Sequence, residues 1–114
     1  FFYDSNALWN QNLNTCFRII IINNGGGNIF RIIDGPSDYD QLETFIETAH
    51  QNTAEGLAHN FGLRYFKADS QSSLSLALNE FYNYNNAGAA MLEIITPNIL
   101  SAKVLKDYFK YMHT

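Results

Sequence analysis

Asn23-Asn24-Gly25-Gly26-Gly27-Asn28 is the segment of this 114-residue chain whose residue types can do chemistry. It directly follows an apolar run, residues 17–22, interrupted only by Arg18. An asparagine amide oxygen and a glycine carbonyl are hard, neutral donors of the kind Mg²⁺ accepts. Two such donors hold the ion weakly, so a carboxylate and phosphate oxygens are needed to complete an octahedron. Successive glycines let the backbone adopt positive φ and approach a ligand closely. Their exposed N–H groups, with those of a following helix start, suit a phosphate. In open α/β sheets ligands sit beyond the C-terminal ends of strands, which is where this loop falls. The same run also suits a plain tight turn built from flexible residues. It is neither a P-loop, since no Lys-Ser/Thr follows, nor G-x-G-x-x-G.

The other reactive side chains are poorly placed. His50, His59 and His113 lack metal-ligand spacing. His59 is expected on the polar side of a helix and His113 in the tail, with His50 at the rim of the loop region. Cys16 is the one cysteine, so no internal disulfide can form, which suits a reducing, cytoplasmic setting. No base lies near it in sequence, and a structural role is expected. Asp34, Asp38 and Asp40 read as a solvated acidic loop without calcium-binding spacing. The net charge is −4 and no Lys/Arg block occurs, which argues against nucleic-acid binding by phosphate neutralisation. The longest apolar run, residues 19–22, is far too short to span a bilayer. With 46% hydrophobic and 15% aromatic residues, the composition is that of one globular domain with a modest core.

The elements that must position the loop alternate in type. Asp4 or Ser5 is expected to cap a first helix carrying Ala7, Leu8 and Trp9. The four isoleucines at 19–22 show no polar alternation and predict a parallel strand buried on both faces. A short helix over 29–33 and a loop over 34–38 follow. Leu42, Phe45, Ile46 and Ala49 have helical spacing, though an ordered loop fits them too. Asn52 and Glu55 have capping-box spacing, ahead of a helix with Ala54, Leu57, Ala58 and Phe61 inward and Gly62 at its close. A strand over 63–67 leads to a helix over 70–84 with Leu74, Ala77, Leu78 and Phe81 inward. A strand over 89–96 then precedes a last helix after Pro97, striped by Leu105, Tyr108, Phe109 and Met112. Phe81, Tyr82, Tyr84, Tyr108, Phe109 and Tyr111 read as core and packing residues, with a face toward another subunit as the alternative for some. The order predicts an α/β/α layered fold with a parallel sheet. Three strands make a thin sheet, so a missing strand or partner sheet is expected. The start at Phe1 and Phe2 without Met suggests a fragment whose Phe1, Phe2 and Trp9 are left bare.

Residues 19–30 resemble the second half of the thiamine-diphosphate (ThDP) motif, in which an apolar strand closes on Asn-Asn. The variant Asn23-Asn24-Gly25-Gly26-Gly27-Asn28-Ile29-Phe30 is most similar to the decarboxylating synthases of menaquinone biosynthesis. Tyr3-Asp4-Ser5-Asn6-Ala7-Leu8 resembles the helix start following the motif's Gly-Asp pair in that family. The strand Met91-Leu92-Glu93-Ile94-Ile95 and final helix fit its C-terminus. The resemblance implies that 1–114 is the C-terminal part of a ThDP-binding domain. It implies Mg²⁺ held by the Asn24 side chain and the Gly26 carbonyl, and Asn23, Asn24 and Gly25 to Gly27 around the diphosphate. Ile29 and Phe30 would lie beside the reacting end of the cofactor. The motif's metal-binding Asp is expected shortly before Phe1, and Asp4 is not that residue. The resemblance further implies a cytoplasmic homo-oligomeric transferase joining 2-oxoglutarate, with loss of CO₂, to isochorismate, and a fragment inactive by itself. An acetolactate-synthase-like or 2-oxo-acid decarboxylase relative is the nearest alternative. A flavodoxin-like phosphate-binding module is an alternative of another class.

Overall fold

The computed structural model of the chain describes residues 1–10, 12–33, 42–83, 85 and 88–113. The expected acidic loop at Asp34, Asp38 and Asp40, and Tyr84, lie outside the described residues. Strands β1 (Arg18–Asn23), β2 (Arg64–Ala68) and β3 (Ala90–Ile95) form a parallel sheet in the order β1-β3-β2. The β2–β3 register runs from Arg64 opposite Ala90 to Ala68 opposite Ile94. A 3₁₀ helix covers Phe2–Trp9, and the α-helices are α1 (Ile29–Ile32), α2 (Glu55–Asn60), α3 (Gln71–Phe81) and α4 (Asn98–Met112). The fold is α/β, a three-stranded parallel sheet flanked by helices, as the alternating pattern predicts. The chain divides into two compact units, Phe1–Ile22 with Thr53–Ile94 and Asn23–Asn52 with Ile95–Thr114.

In the first unit the period of two along each strand sorts side chains onto two faces. Ile19, Ile21, Tyr65 and Met91 pack with Leu8 of the 3₁₀ helix and with Ala54, Ala58 and Leu63 around α2. Phe66, Ala68, Ala90, Leu92 and Ile94 pack with Leu74, Ala77, Leu78 and Phe81, the four α3 residues whose spacing predicts them inward. Helix α3 starts where Ser70 and Ser73 exchange side-chain-to-backbone hydrogen bonds of 3.2 and 3.0 Å, a reciprocal capping box. Helix α2 ends as expected at Gly62, whose φ is +67°. The Leu63 N–H reaches the Ala58 carbonyl and the Gly62 N–H that of His59, which satisfies two terminal acceptors.

Several expectations are corrected. The strand β1 is not buried on both faces. It stands at one edge of the described sheet, and Ile20 and Ile22 on its second face are 46% and 59% exposed. On that face Arg18 reaches across to the Phe81 carbonyl at 2.7 Å. The first helix is a kinked 3₁₀ segment starting after Phe1, with no side-chain cap from Asp4 or Ser5. Phe2 packs against the core, whereas Phe1 and Trp9 are exposed. Leu42–Ile46 is a single π-helical turn, with Leu42 buried and Phe45 exposed. Among the described residues of the aromatic set Phe81 is buried, while Tyr82, Tyr108, Phe109 and Tyr111 are exposed. The α4 stripe of Leu105, Tyr108, Phe109 and Met112 likewise faces outward, and Ala102 is the buried residue of that helix. Cys16 is exposed and free rather than part of the packing.

The Asn52–Glu55 capping box does not form either. The N-cap of α2 is Ala54, and its N–H donates to Glu93 Oε2 at 3.0 Å. Glu93 lies on β3, is fully buried, and also accepts a 2.6 Å hydrogen bond from the Tyr65 hydroxyl. A carboxylate at a helix N-terminus answers both the unpaired N–H groups and the helix dipole. Burial, and then the hydrogen bond to Glu93, push the Tyr65 hydroxyl's pKa upward. Folded Tyr65 therefore holds its proton more tightly than the unfolded chain does. Its stabilisation is complete below the unfolded value of about 10 and is lost as pH rises through the folded value. Thermal unfolding is expected to show Tm falling above about pH 10, with a shallower fall in Tyr65→Phe. Parallel slopes for the two proteins would exclude the linkage.

Candidate functional site

The second unit holds the loop. β1 ends at Asn23 and α1 begins at Ile29, so residues 24–28 make the whole connection. Two consecutive asparagine turns shape it. Asn23 Oδ1 accepts the Gly25 N–H at 3.0 Å, and Asn24 Oδ1 accepts the Gly26 N–H at 3.2 Å. Each amide imitates a backbone carbonyl two residues back, which is why asparagine suits such positions. Asn23 is buried and is anchored from its other side, its Nδ2 donating to the Asn52 carbonyl at 2.9 Å. Its own carbonyl accepts the Thr96 N–H at 2.9 Å.

The glycines are demanded by conformation and by space. Gly25 has φ +73°, a region that side chains disfavour, and its carbonyl accepts the His50 N–H at 2.8 Å. A Cβ on Gly26 would lie 2.9 Å from Glu47 Cγ and 3.4 Å from Asn98 Nδ2. The Gly27 N–H donates to the Glu47 carbonyl at 2.6 Å, and the Gly26 carbonyl accepts the Asn28 N–H at 3.0 Å. Glu47 is 2% exposed, and Arg31 of α1 grips its carboxylate in a fork, Nε to Oε1 at 2.8 Å and Nη2 to Oε2 at 2.7 Å. No spacing rule joins Arg31 to Glu47, so neither residue stands out in the sequence.

The structure thus brings Asn23, Asn24, Gly25, Gly26 and Gly27 into one tight loop at a strand end. The Ile29 side chain is 59% exposed at the start of α1, and Phe30, partly buried, lies its ring against Gly27. Of the histidines, His50 contacts the loop through its backbone, whereas His59 and His113 are exposed on their helices' ends. Among the described residues no group of three or more His, Cys, Asp or Glu is placed to hold a metal. The buried oxygens Asn28 Oδ1, Thr96 Oγ1 and Asn98 Oδ1 of this unit have no hydrogen-bond partner among the described residues. Buried polar atoms are ordinarily satisfied, so orphans beside a glycine loop fit a site that receives a polar group. The Asn24 amide and the Gly26 carbonyl carry neutral oxygens of the type Mg²⁺ accepts, and charged ligands would still have to be supplied.

No family model matches the chain. It is similar to curated proteins named 2-succinyl-5-enolpyruvyl-6-hydroxy-3-cyclohexene-1-carboxylate synthase. The protein of Flavobacterium johnsoniae is 49% identical over 110 residues, 96% of this chain and 20% of that protein. Those of Porphyromonas gingivalis and Christiangramia forsetii are 43% and 40% identical over 112 residues, 98% of this chain and 19% of each protein. The chain spans about a fifth of the length of the curated relatives it matches.

Proposed function

We propose, from a chain that belongs by sequence with the 2-succinyl-5-enolpyruvyl-6-hydroxy-3-cyclohexene-1-carboxylate synthases, that its glycine loop is one wall of a Mg²⁺- and ThDP-dependent site in a longer enzyme of menaquinone biosynthesis. The observation that carries this reading is the pair of asparagine turns that shape residues 23–26 against a buried wall. A neutral amide oxygen and a carbonyl at a strand end are the donors a diphosphate-bound Mg²⁺ takes from protein when phosphate and carboxylate supply the charge. When bound, the cofactor supplies an electron sink for decarboxylating a 2-oxo acid.

This chain's part is to bind and orient. Asn24 and Gly26 would hold the ion, and Asn23 keeps the turn rigid through its bonds to Gly25 and Asn52. The N–H groups of Gly25, Gly26 and Gly27 are not the exposed donors expected from the sequence, being taken by Asn23, Asn24 and the Glu47 carbonyl. The glycine run would serve the diphosphate by close backbone approach and through the ion. Ile29 and Phe30, apolar and next to the loop, would keep water from the reacting end. A carboxylate ligand, the group that activates the cofactor, and the groups that read substrate belong to the longer protein. The whole enzyme is proposed to be a cytoplasmic homo-oligomer taking 2-oxoglutarate as donor and isochorismate as acceptor. Among the described residues no helix is long and apolar enough to cross a membrane.

Calorimetric titration with Mg²⁺ and ThDP is the test. The full-length protein is expected to bind both and to release CO₂ from 2-oxoglutarate, whereas residues 1–114 alone are expected to do neither. Turnover by the isolated chain, or a full-length protein indifferent to ThDP, would overturn the proposal.

A further inference from the structure

The buried ion pair beneath the glycine loop has no part in the chemistry above. Glu47 is almost completely buried, and its carboxylate is taken up by Arg31 in a two-bond fork. The same residue touches the loop twice more. Its carbonyl accepts the Gly27 N–H at 2.6 Å, and its Cγ lies 2.9 Å from where a Cβ on Gly26 would be. Bulk stability does not call for a charge here, since well-packed apolar residues commonly replace a buried ion pair without loss. What the pair does is geometric. Arg31 belongs to the helix that leaves the loop, and Glu47 to the segment that returns beneath it. Joining them ties the helix after the loop to the residue against which Gly26 packs and whose carbonyl holds the Gly26–Gly27 peptide.

We propose that Glu47, clamped by Arg31, is a positioning residue that holds the Gly26 carbonyl in place for the Mg²⁺–diphosphate. This rests on the reading of the loop given above. The pair is neutral as a unit, so it adds no net charge beside a polyanionic ligand. Losing Arg31 alone leaves an anion at the phosphate loop, and losing the Glu47 charge alone leaves a cation. A brace without an electrostatic role makes the two losses alike. A brace beside a diphosphate makes them unequal.

The experiment uses the full-length enzyme as wild type, Arg31→Gln, Arg31→Lys, Glu47→Gln and the Arg31→Gln/Glu47→Gln double variant. ThDP is titrated calorimetrically into each apoenzyme at fixed Mg²⁺, and kcat is measured at saturating cofactor. Arg31→Gln is expected to weaken ThDP binding by about 10- to 100-fold, the usual effect of losing an outer-shell partner. Glu47→Gln is expected to lose less, the double variant to recover part of the Arg31→Gln loss, and Arg31→Lys to stay closer to wild type. At saturation kcat is expected to stay within about threefold, because the lost interaction acts on cofactor binding. Unchanged ThDP affinity in all variants overturns the inference and leaves the reading of the loop intact. So do equal losses in the two single glutamine variants without recovery in the double, or a lysine variant as weak as Arg31→Gln. A wild-type enzyme that binds no ThDP overturns both together.

Discussion

Gly26→Ala in the full-length enzyme is expected to weaken Mg²⁺–ThDP binding by about five- to 150-fold, the equivalent of the roughly 1–3 kcal/mol that overpacking costs. The added methyl would meet Glu47 Cγ at 2.9 Å. That atom is not the free end of a flexible chain, because Arg31 grips the carboxylate beyond it and the Gly27 N–H holds the carbonyl before it. The Asn98 amide closes the other side at 3.4 Å. Relief must therefore come from the loop, which carries the donors. Gly56→Ala is the matched control, since a methyl there meets nothing within 4 Å. In the first turn of α2 it is expected to stabilise by about 0.4–1 kcal/mol and to leave cofactor binding unchanged. If Gly26→Ala titrated like wild type, the loop shape would not be what the ligand reads.

Glu93→Ala is expected to destabilise the protein by about 2–5 kcal/mol, combining a cavity with stranded donors. The residue is fully buried, and its loss would leave the Tyr65 hydroxyl and the Ala54 N–H facing an empty space. Helix α2 would lose the carboxylate at its N-terminus as well. Glu93→Gln keeps an acceptor of nearly the same shape, and a loss of about 1 kcal/mol is expected. Denaturant unfolding of the three proteins checks the order. An alanine variant as stable as wild type would show that solvent or a rearranged side chain takes over both hydrogen bonds.

Local rules carried the sequence far, and non-local partners marked where they stopped. The alternation of apolar runs and helical faces gave the α/β order, and Gly62, Ser70 and Pro97 marked helix ends within one residue of where they fall. The loop itself was legible because asparagine and glycine act on neighbours two residues away. Glu93 was not, because its partner Ala54 lies on another element and no spacing pattern joins them. Asn52 and Glu55 had the spacing of a cap, yet Asn52 instead offers its carbonyl to Asn23. Glu47 and Arg31 escaped for the same reason as Glu93. The isoleucine run predicted a doubly buried strand, since hydrophobicity reports that a face can be covered and not what covers it. Ile20 and Ile22 are open in the structure, as is the outer stripe of α4.

The open isoleucine face has a cost during synthesis. Phe17, just ahead of β1, bonds to Ala90 at the start of β3, far downstream in the chain. At roughly 5–20 residues per second, the nascent β1 segment waits on the order of 4–15 s outside the ribosome before that partner emerges. A short β-branched stretch with little charge is the type that stacks with copies of itself. Neighbouring nascent chains on one polysome would present it to each other, so a holding chaperone at this stage is expected to raise soluble yield.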